Sequence, residues 1–402
     1  MTAPGASFRD PVHGLVRADR LETALIDSRP LQRLRRIRQL GTTYLVFPAA
    51  EQSRFSHALG AMHLAGRVYD ALALRSDGLL DPDPRSRERR LVRAAALFHD
   101  VGHPPFSHVA EELFENGIGH EEMSRRLLGA EEVGRAFSDL GEGVTIGDVE
   151  ALLAGRSDSL GRLLSQIVAG ELDVDKMDYL LRDSLFCGVR YGSYDLERLL
   201  DTMLPIQDPE TGAWGLGVEE GGVHALEALV MARYYMFTQV YFNVVGKAFE
   251  LHLTRWLADE GVRWPGDPES FLAHDDITVA TRMRASENPH ARAVMERRHW
   301  ELAHETGEHL TAIEKARFEA VLPALEERFG HERLMVSYSA KDPHRMGPAR
   351  VFVERFDGTP VPMERASHFI AHLARIERYR VYAPPELAAE VAAAVRLQLA
   401  ES

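Results

Sequence analysis

One cysteine, Cys187, stands in 402 residues. A single thiol makes no disulfide within the chain and no zinc cluster of several thiolates. It fits a reducing compartment, and a cytoplasmic location is the expectation. Long apolar runs are missing too. No stretch approaches the roughly 18 apolar residues that cross a membrane, and "MTAPGASFRDPVHG" carries no apolar signal segment. Positive charge is the minority sign: 47 Lys and Arg face 61 Asp and Glu, a formal charge of −14. Nucleic-acid binding over the whole surface is therefore not indicated. A protein this acidic that handled phosphates would have to gather its cations at one place. Internal repeats and low-complexity linkers are absent as well.

What is present is an ordinary globular composition, 45% hydrophobic and 27% charged. The length allows one large domain with an appendage, or two domains. "LETALIDSRPLQRLRRIRQLG" has helical apolar spacing, interrupted at Pro30 and stopped at Gly41. "SRFSHALGAMHLAGRVYDALAL" predicts a second helix with Ser53 at its N-cap, and "RERRLVRAAALFHD" a third that ends near Gly102. A further helix starts near His120. "LPIQDPETGAWGLGVEEGG" predicts a short hairpin, and one long aromatic-rich helix is expected from Val223 to Leu257. Residues 265–329 read as charged and helical. Then "RLMVSYSA", "ARVFVERFDGTPVPM" and "RYRVYAP" alternate like strands, with a turn at Asp357 and Gly358, before a last helix. The expectation is a mainly α fold: a helical body over 1–260 and a helical and α+β region over 261–402 involved in subunit association.

Eighteen histidines predict about one per 22 residues, yet "LFHDVGHPPFSH" and its sequel hold His99, His103, His108 and His120 within 22. Histidines at a helix C-terminus are explained by the helix dipole alone. Chemistry gives a sharper reading. His99 and Asp100 offer imidazole and carboxylate side by side, a pairing suited to a divalent ion with open positions. Two ligands are too few, and His57 and Asp175 are further candidates. At roughly 100° per residue Asp175, Tyr179 and Asp183 share a helix face, with Met177, Leu180, Leu181 and Ser184 opposite. A helix lining a polar site and an amphipathic surface helix both fit that pattern.

The blocks "DPVHG", "LQRLRRIRQLG", "YLVFPAAEQSRFSHALG", "LFHDVGHPPFSH", "DVDKMDYLLRD" and "RVFVERFDGTPVP", in this order, resemble the HD-domain phosphohydrolases. Within these the chain is most similar to the deoxynucleoside triphosphate triphosphohydrolases, whose members include a mammalian enzyme joining SAM and HD domains. The resemblance implies an HD-domain helical bundle with one divalent metal on His57, His99, Asp100 and Asp175. The ion could be Mn, Fe, Co, Ni, Mg or Zn, and a second Mg would accompany the triphosphate. It implies hydrolysis of a dNTP at the α-phosphorus by metal-activated water, giving deoxynucleoside and inorganic triphosphate. His120 matches the general acid, and His103 and His108 match histidines near the α-phosphate, with Glu111 where an aspartate is usual. Arg54, Lys176, Tyr179 and Arg233 match phosphate-binding positions. Gln39 and Asp183 match groups on the sugar 3′-hydroxyl, and Leu40 and Tyr241 match the wall that excludes a 2′-hydroxyl.

Arg233 and Tyr241, eight residues apart in the expected long helix, would share one side of it. Asp27, Gln32 and Arg35 match residues that recognise a GTP or dGTP activator, whereas Val244 and Arg9 depart from the lysine and asparagine of a second activator pocket. Ala58 replaces a common serine. Homo-oligomers, dimers or tetramers, are implied. Two other functions stand beside this one: a phosphohydrolase of nucleoside monophosphates or signalling nucleotides, and a non-catalytic nucleotide sensor.

Overall fold

The structure, a computed structural model, describes residues 5–155, 158–342 and 350–401. The chain forms two compact units that interleave in sequence: residues up to 236, 263–279 and 344–372 in the first, and 237–262, 280–343 and 373–402 in the second. Both are rich in helix, as expected. No helix among the described residues is long and apolar enough to cross a membrane.

The first unit is built around the helix Arg54–Leu74. Small residues let neighbours approach this rod closely, and Ala58, Ala61, Leu64, Ala65 and Val68 are fully buried. It packs on the helices Arg87–Phe98 and Val174–Cys187. Burial of the large apolar side chains here contributes about 1.5–3 kcal/mol each. Ser53 takes the N-cap position without making a side-chain capping bond. The first expected helix is divided. Asp19 and Glu22 close a capping box on Arg20–Ile26, and a new helix, Arg29–Arg33, starts after Ser28. Pro30 sits in that second helix's first turn, where its missing N–H costs nothing.

The hairpin is present, with Met203–Gln207 antiparallel to Trp214–Glu219. Two of the late strands join it: Phe352–Glu354 pairs in parallel with Trp214–Glu219, and Pro360–Pro362 follows after the Asp357–Gly358 turn. The expected C-terminal strands therefore divide between two sheets.

In the second unit Ile376–Ala383 is the middle strand between Met335–Lys341 and Glu301–Glu305. The last of these strands lies inside the stretch expected to be wholly helical. Helices Ala312–Phe329 and Pro385–Glu401 cover the sheet through Phe318, Val321, Leu325, Val391 and Val395. The single helix expected over Val223–Leu257 is also corrected. Val223–Met236 is α-helical, Phe237–Tyr241 widens into a π turn closed by Phe242 N donating to Phe237 O, and Val244–Asp259 starts afresh. Asn243 forces the restart, because its side chain accepts from the backbone N–H groups of Val245 and Gly246. The eight-residue spacing of Arg233 and Tyr241 consequently does not define a common helix face.

One polar contact in this unit is sensitive to acid. His252 Nε2 accepts from Trp300 N at 3.1 Å, so its proton lies on Nδ1, 2.8 Å from His290 Nδ1. Burial, then His290, His299 and Arg255, lower the His252 pKa to about 3, and burial and Arg255 lower His290 against Asp259. Both groups fold neutral, so the stability they lend is full above the unfolded pKa and is lost as pH falls below it. The unfolding free energy should drop between about pH 7 and pH 5, and His252→Phe should remove about 1–2 kcal/mol of that drop in urea titrations at the two pH values.

Candidate metal and phosphate site

Three helices of the first unit bring the expected ligands together. His57 lies in the first turn of Arg54–Leu74. His99 caps the C-terminus of Arg87–Phe98, and Asp100 follows in the turn. Asp175 is in the first turn of Val174–Cys187, where the dipole favours its charge and Asp173 caps the N-terminus. His57 Nε2 lies 3.3 Å from His99 Nε2, 3.1 Å from Asp175 Oδ1 and 3.8 Å from Asp100 Oδ2. His99 Nε2 lies 3.5 Å from Asp100 Oδ1 and 3.6 Å from Asp175 Oδ1. Ligands about 2.0–2.2 Å from a divalent ion stand roughly 3.0–3.6 Å apart, so the spacing suits one ion.

The tautomers suit it as well. The other nitrogen of each ring is occupied, His57 Nδ1 by Asp178 Oδ2 at 2.7 Å and His99 Nδ1 by Ala96 O at 2.7 Å. Both Nε2 atoms are thereby turned to the ligand cluster.

The electrostatics show what this cluster would offer a cation. Burial works to lower His57, yet Asp175 and Asp178 push it up to about 10. Burial opposes the charge of Asp175 and Asp100, but His57 and His99 hold Asp175 far below the carboxylate range, and His99, Arg54 and His103 do the same for Asp100. The carboxylates remain ionised in a buried place, which is the field a divalent ion neutralises.

Beyond Asp100 the candidate acid–base groups follow. His103 Nε2 lies 3.3 Å from Asp100 Oδ1, and its ring stacks on His120 at 4.0 Å between centroids. Burial and Arg54 lower the His103 pKa well below the usual value. Glu111 bonds His120 Nδ1 closely. The side chain of His108 lies outside the described residues. Arg54 is turned onto Asp100 and donates from Nε to Ser107 Oγ at 2.8 Å. Phe106 and Ser107, both at positive φ, shape that turn, and Asp276 Oδ1 secures it by accepting from Phe106 N.

A cavity of about 740 Å³ opens on this cluster. His99, Asp100, His120, Asp175 and Lys176 line one part, and Arg162, Trp214 and Phe352 line another. Lys176 Nζ is held by Asp173 Oδ2 at 2.6 Å and Gly170 O at 2.8 Å.

The sugar-side candidates form a second group. Gln52, which sequence reasoning passed over, ties them together: its Nε2 donates to Asp183 Oδ1 and its carbonyl accepts from Gln39 N, each at 2.9 Å. The side-chain oxygens of Gln39 and Gln52 are buried without a hydrogen-bond partner. Leu40 is half-buried beside them. Arg233 bonds Tyr179, whose hydroxyl pKa burial raises. Tyr241 belongs to the second unit. Of the activator candidates, Gln32 Nε2 donates to Ile26 O, and Arg35 donates to Gln32 Oε1 and lies over the Phe55 ring. Asp27 caps the same turn.

Asp178 was also missed. Its signal was the four-residue spacing to Arg182, which marks an ion pair along one helix face.

The HD domain family matches residues 54–183, and the HD associated region matches 194–400. An uncharacterized protein of Bacillus subtilis is 39% identical over 66% of this chain, which spans only 60% of that relative's length. The deoxynucleoside triphosphate triphosphohydrolase SAMHD1 homolog of Dictyostelium discoideum is 30% identical over 93% of this chain and 76% of its own. A solved phosphohydrolase structure from Bacteroides thetaiotaomicron superposes with a TM-score of 0.75 at 25% identity, over 94% of this chain and 99% of the other.

Gly102 lets the helix that begins at His120 approach the turn carrying the candidate ligands His99 and Asp100. A Cβ there would sit 2.2 Å from His120 O and 2.4 Å from Ser124 N. Gly102→Ala should cost about 1–3 kcal/mol in urea denaturation, with the helix that begins at His120 displaced.

Proposed function

We propose that this chain, which belongs to the HD-domain phosphohydrolases, is a metal-dependent hydrolase that releases inorganic triphosphate from deoxynucleoside triphosphates. The observation that carries the reading is the sharing of Asp100 by two clusters. It stands with His57 and His99 on one side and with His103 and His120 on the other, each set of ligand atoms within 4.8 Å. A metal position and an acid–base position one carboxylate apart would suit hydrolysis at a single phosphorus, and this supports the reading.

His57, His99, Asp100 and Asp175 would hold the ion. When bound, it supplies Lewis-acid polarisation of a phosphoryl oxygen and activation of water. Lys176 faces the same cavity and would bind phosphate oxygens. His120 would serve the leaving 5′-oxygen. As an imidazolium, with its Nδ1–H held by Glu111, it would give its Nε2 proton to the sugar oxygen and be left neutral. Arg54 would exchange its hold on Asp100 for a phosphate. Gln39 and Asp183, fixed to one another through Gln52, would read the sugar hydroxyl, and the partnerless Gln39 oxygen supports a ligand there. The reading extends to a guanine-nucleotide activator at Asp27, Gln32 and Arg35, and to a homo-oligomer.

The test is a product assay. With Mn²⁺ the chain should release tripolyphosphate from dNTPs faster than from ribonucleotides. Asp100→Ala should abolish turnover, and His120→Gln should lower kcat by about 10²-fold or more while the metal stays bound. Release of pyrophosphate or monophosphate would sink the reading.

A further inference from the structure

The "DPVHG" turn near the N-terminus touches a helix about 165 residues away in sequence. Asp10 Oδ1 accepts from Val12 N and His13 N, both at 2.9 Å, and Gly14 at φ +74° leads into the next strand. The turn aims His13 inward. Its Nε2 donates to Asp178 Oδ1 at 2.6 Å, and the two side chains are 2% and 0% exposed. Asp178 Oδ2 is the atom that holds His57 Nδ1.

Arg182 closes the arrangement. It donates from Nε and Nη2 to the two oxygens of Asp178, each at 2.8 Å, and from Nη1 back to Asp10 Oδ2 at 2.8 Å. Asp178 thus receives four N–H groups, and its plane has one orientation. That orientation places a carboxylate lone pair on His57 Nδ1, which keeps a proton there and turns Nε2 to the ligand cluster. Gly60, one turn beyond His57, is required by the same geometry. A Cβ would stand 1.9 Å from Asp178 Oδ1 and 2.5 Å from Arg182 Nη2.

We propose that the Asp10–Gly14 turn braces the metal centre, with His13 a positioning residue that orients His57 through Asp178. The inference rests on the metal centre proposed above and not on its substrate. A brace that served folding alone would leave metal affinity unchanged in any variant that still folds. A brace that aims His57 sets that affinity directly.

The experiment is an EPR titration of Mn²⁺ alone into the metal-free full chain, compared with His13→Ala, His13→Gln and Asp10→Asn, with circular dichroism confirming the fold. His13→Ala should weaken Mn²⁺ binding about tenfold, and His13→Gln, which keeps a donor at the Nε2 position, should recover it to within about threefold. Wild-type affinity in His13→Ala, or a His13→Gln as weak as the alanine variant, would overturn the proposal. If His13→Ala does not fold, Asp10→Asn decides. It keeps the turn's acceptor and breaks only the Arg182 link, so weakened binding supports the brace and unchanged binding overturns it. A wild-type chain that binds Mn²⁺ but releases no tripolyphosphate would remove the substrate reading and leave this comparison intact.

Discussion

Two buried imidazoles, each pinned at Nδ1, are the constraint from which the site follows. His57 is held by a carboxylate and His99 by a helix carbonyl, so both must present Nε2 to the same point. Everything around them serves that convergence. Glycine at 60 admits the carboxylate that holds His57, and glycine at 102 admits the helix that carries His120. Burying ionised groups is expensive unless they are paired and hydrogen-bonded. Here the surrounding arginines supply the pairing.

The same arginines answer how so acidic a chain could handle an anion. Arg33, Arg54 and Arg182 are each buried in the first unit beside the cluster or its supports. Arg33 donates to His103 O and to His274 O, and burial lowers its pKa to about 9. Arg54 touches a metal ligand and Arg182 touches the carboxylate behind another. These buried arginines are gathered around the candidate ligand cluster, each of Arg54 and Arg182 paired with a buried aspartate, in a chain whose formal charge is −14. Lys176, aimed by Asp173, adds a cation on the cavity wall.

Much of this was legible in the sequence. The four candidate metal ligands lie in local patterns tied to helix ends, and helix ends are marked by nearby Ser, Asp, Gly and Pro. What escaped depended on distant partners. His13 and Asp178 have meaning only together, and a face count over Asp175, Tyr179 and Asp183 drew attention away from the carboxylate between them. Gln52 takes its role from Asp183, 131 residues away in sequence. Glu301–Glu305 was hidden because "ELAHE" is charged, yet it forms an edge strand, where polar residues are at home. The break before Val244 turned on a single capping side chain, Asn243, inside an otherwise continuous helical pattern. The pairing of Phe352–Glu354 with Trp214–Glu219 is parallel and non-local, and no turn residue announces it.

The central claim is that three helices of the first unit deliver four ligands to one divalent ion. Anomalous diffraction from a crystal grown with Mn²⁺ or Co²⁺ tests it most directly. The account predicts one strong peak within about 2.0–2.3 Å of His57 Nε2, His99 Nε2 and an oxygen of each of Asp100 and Asp175. A peak bound instead by His103 and His120, or an ion held without His57, would contradict it.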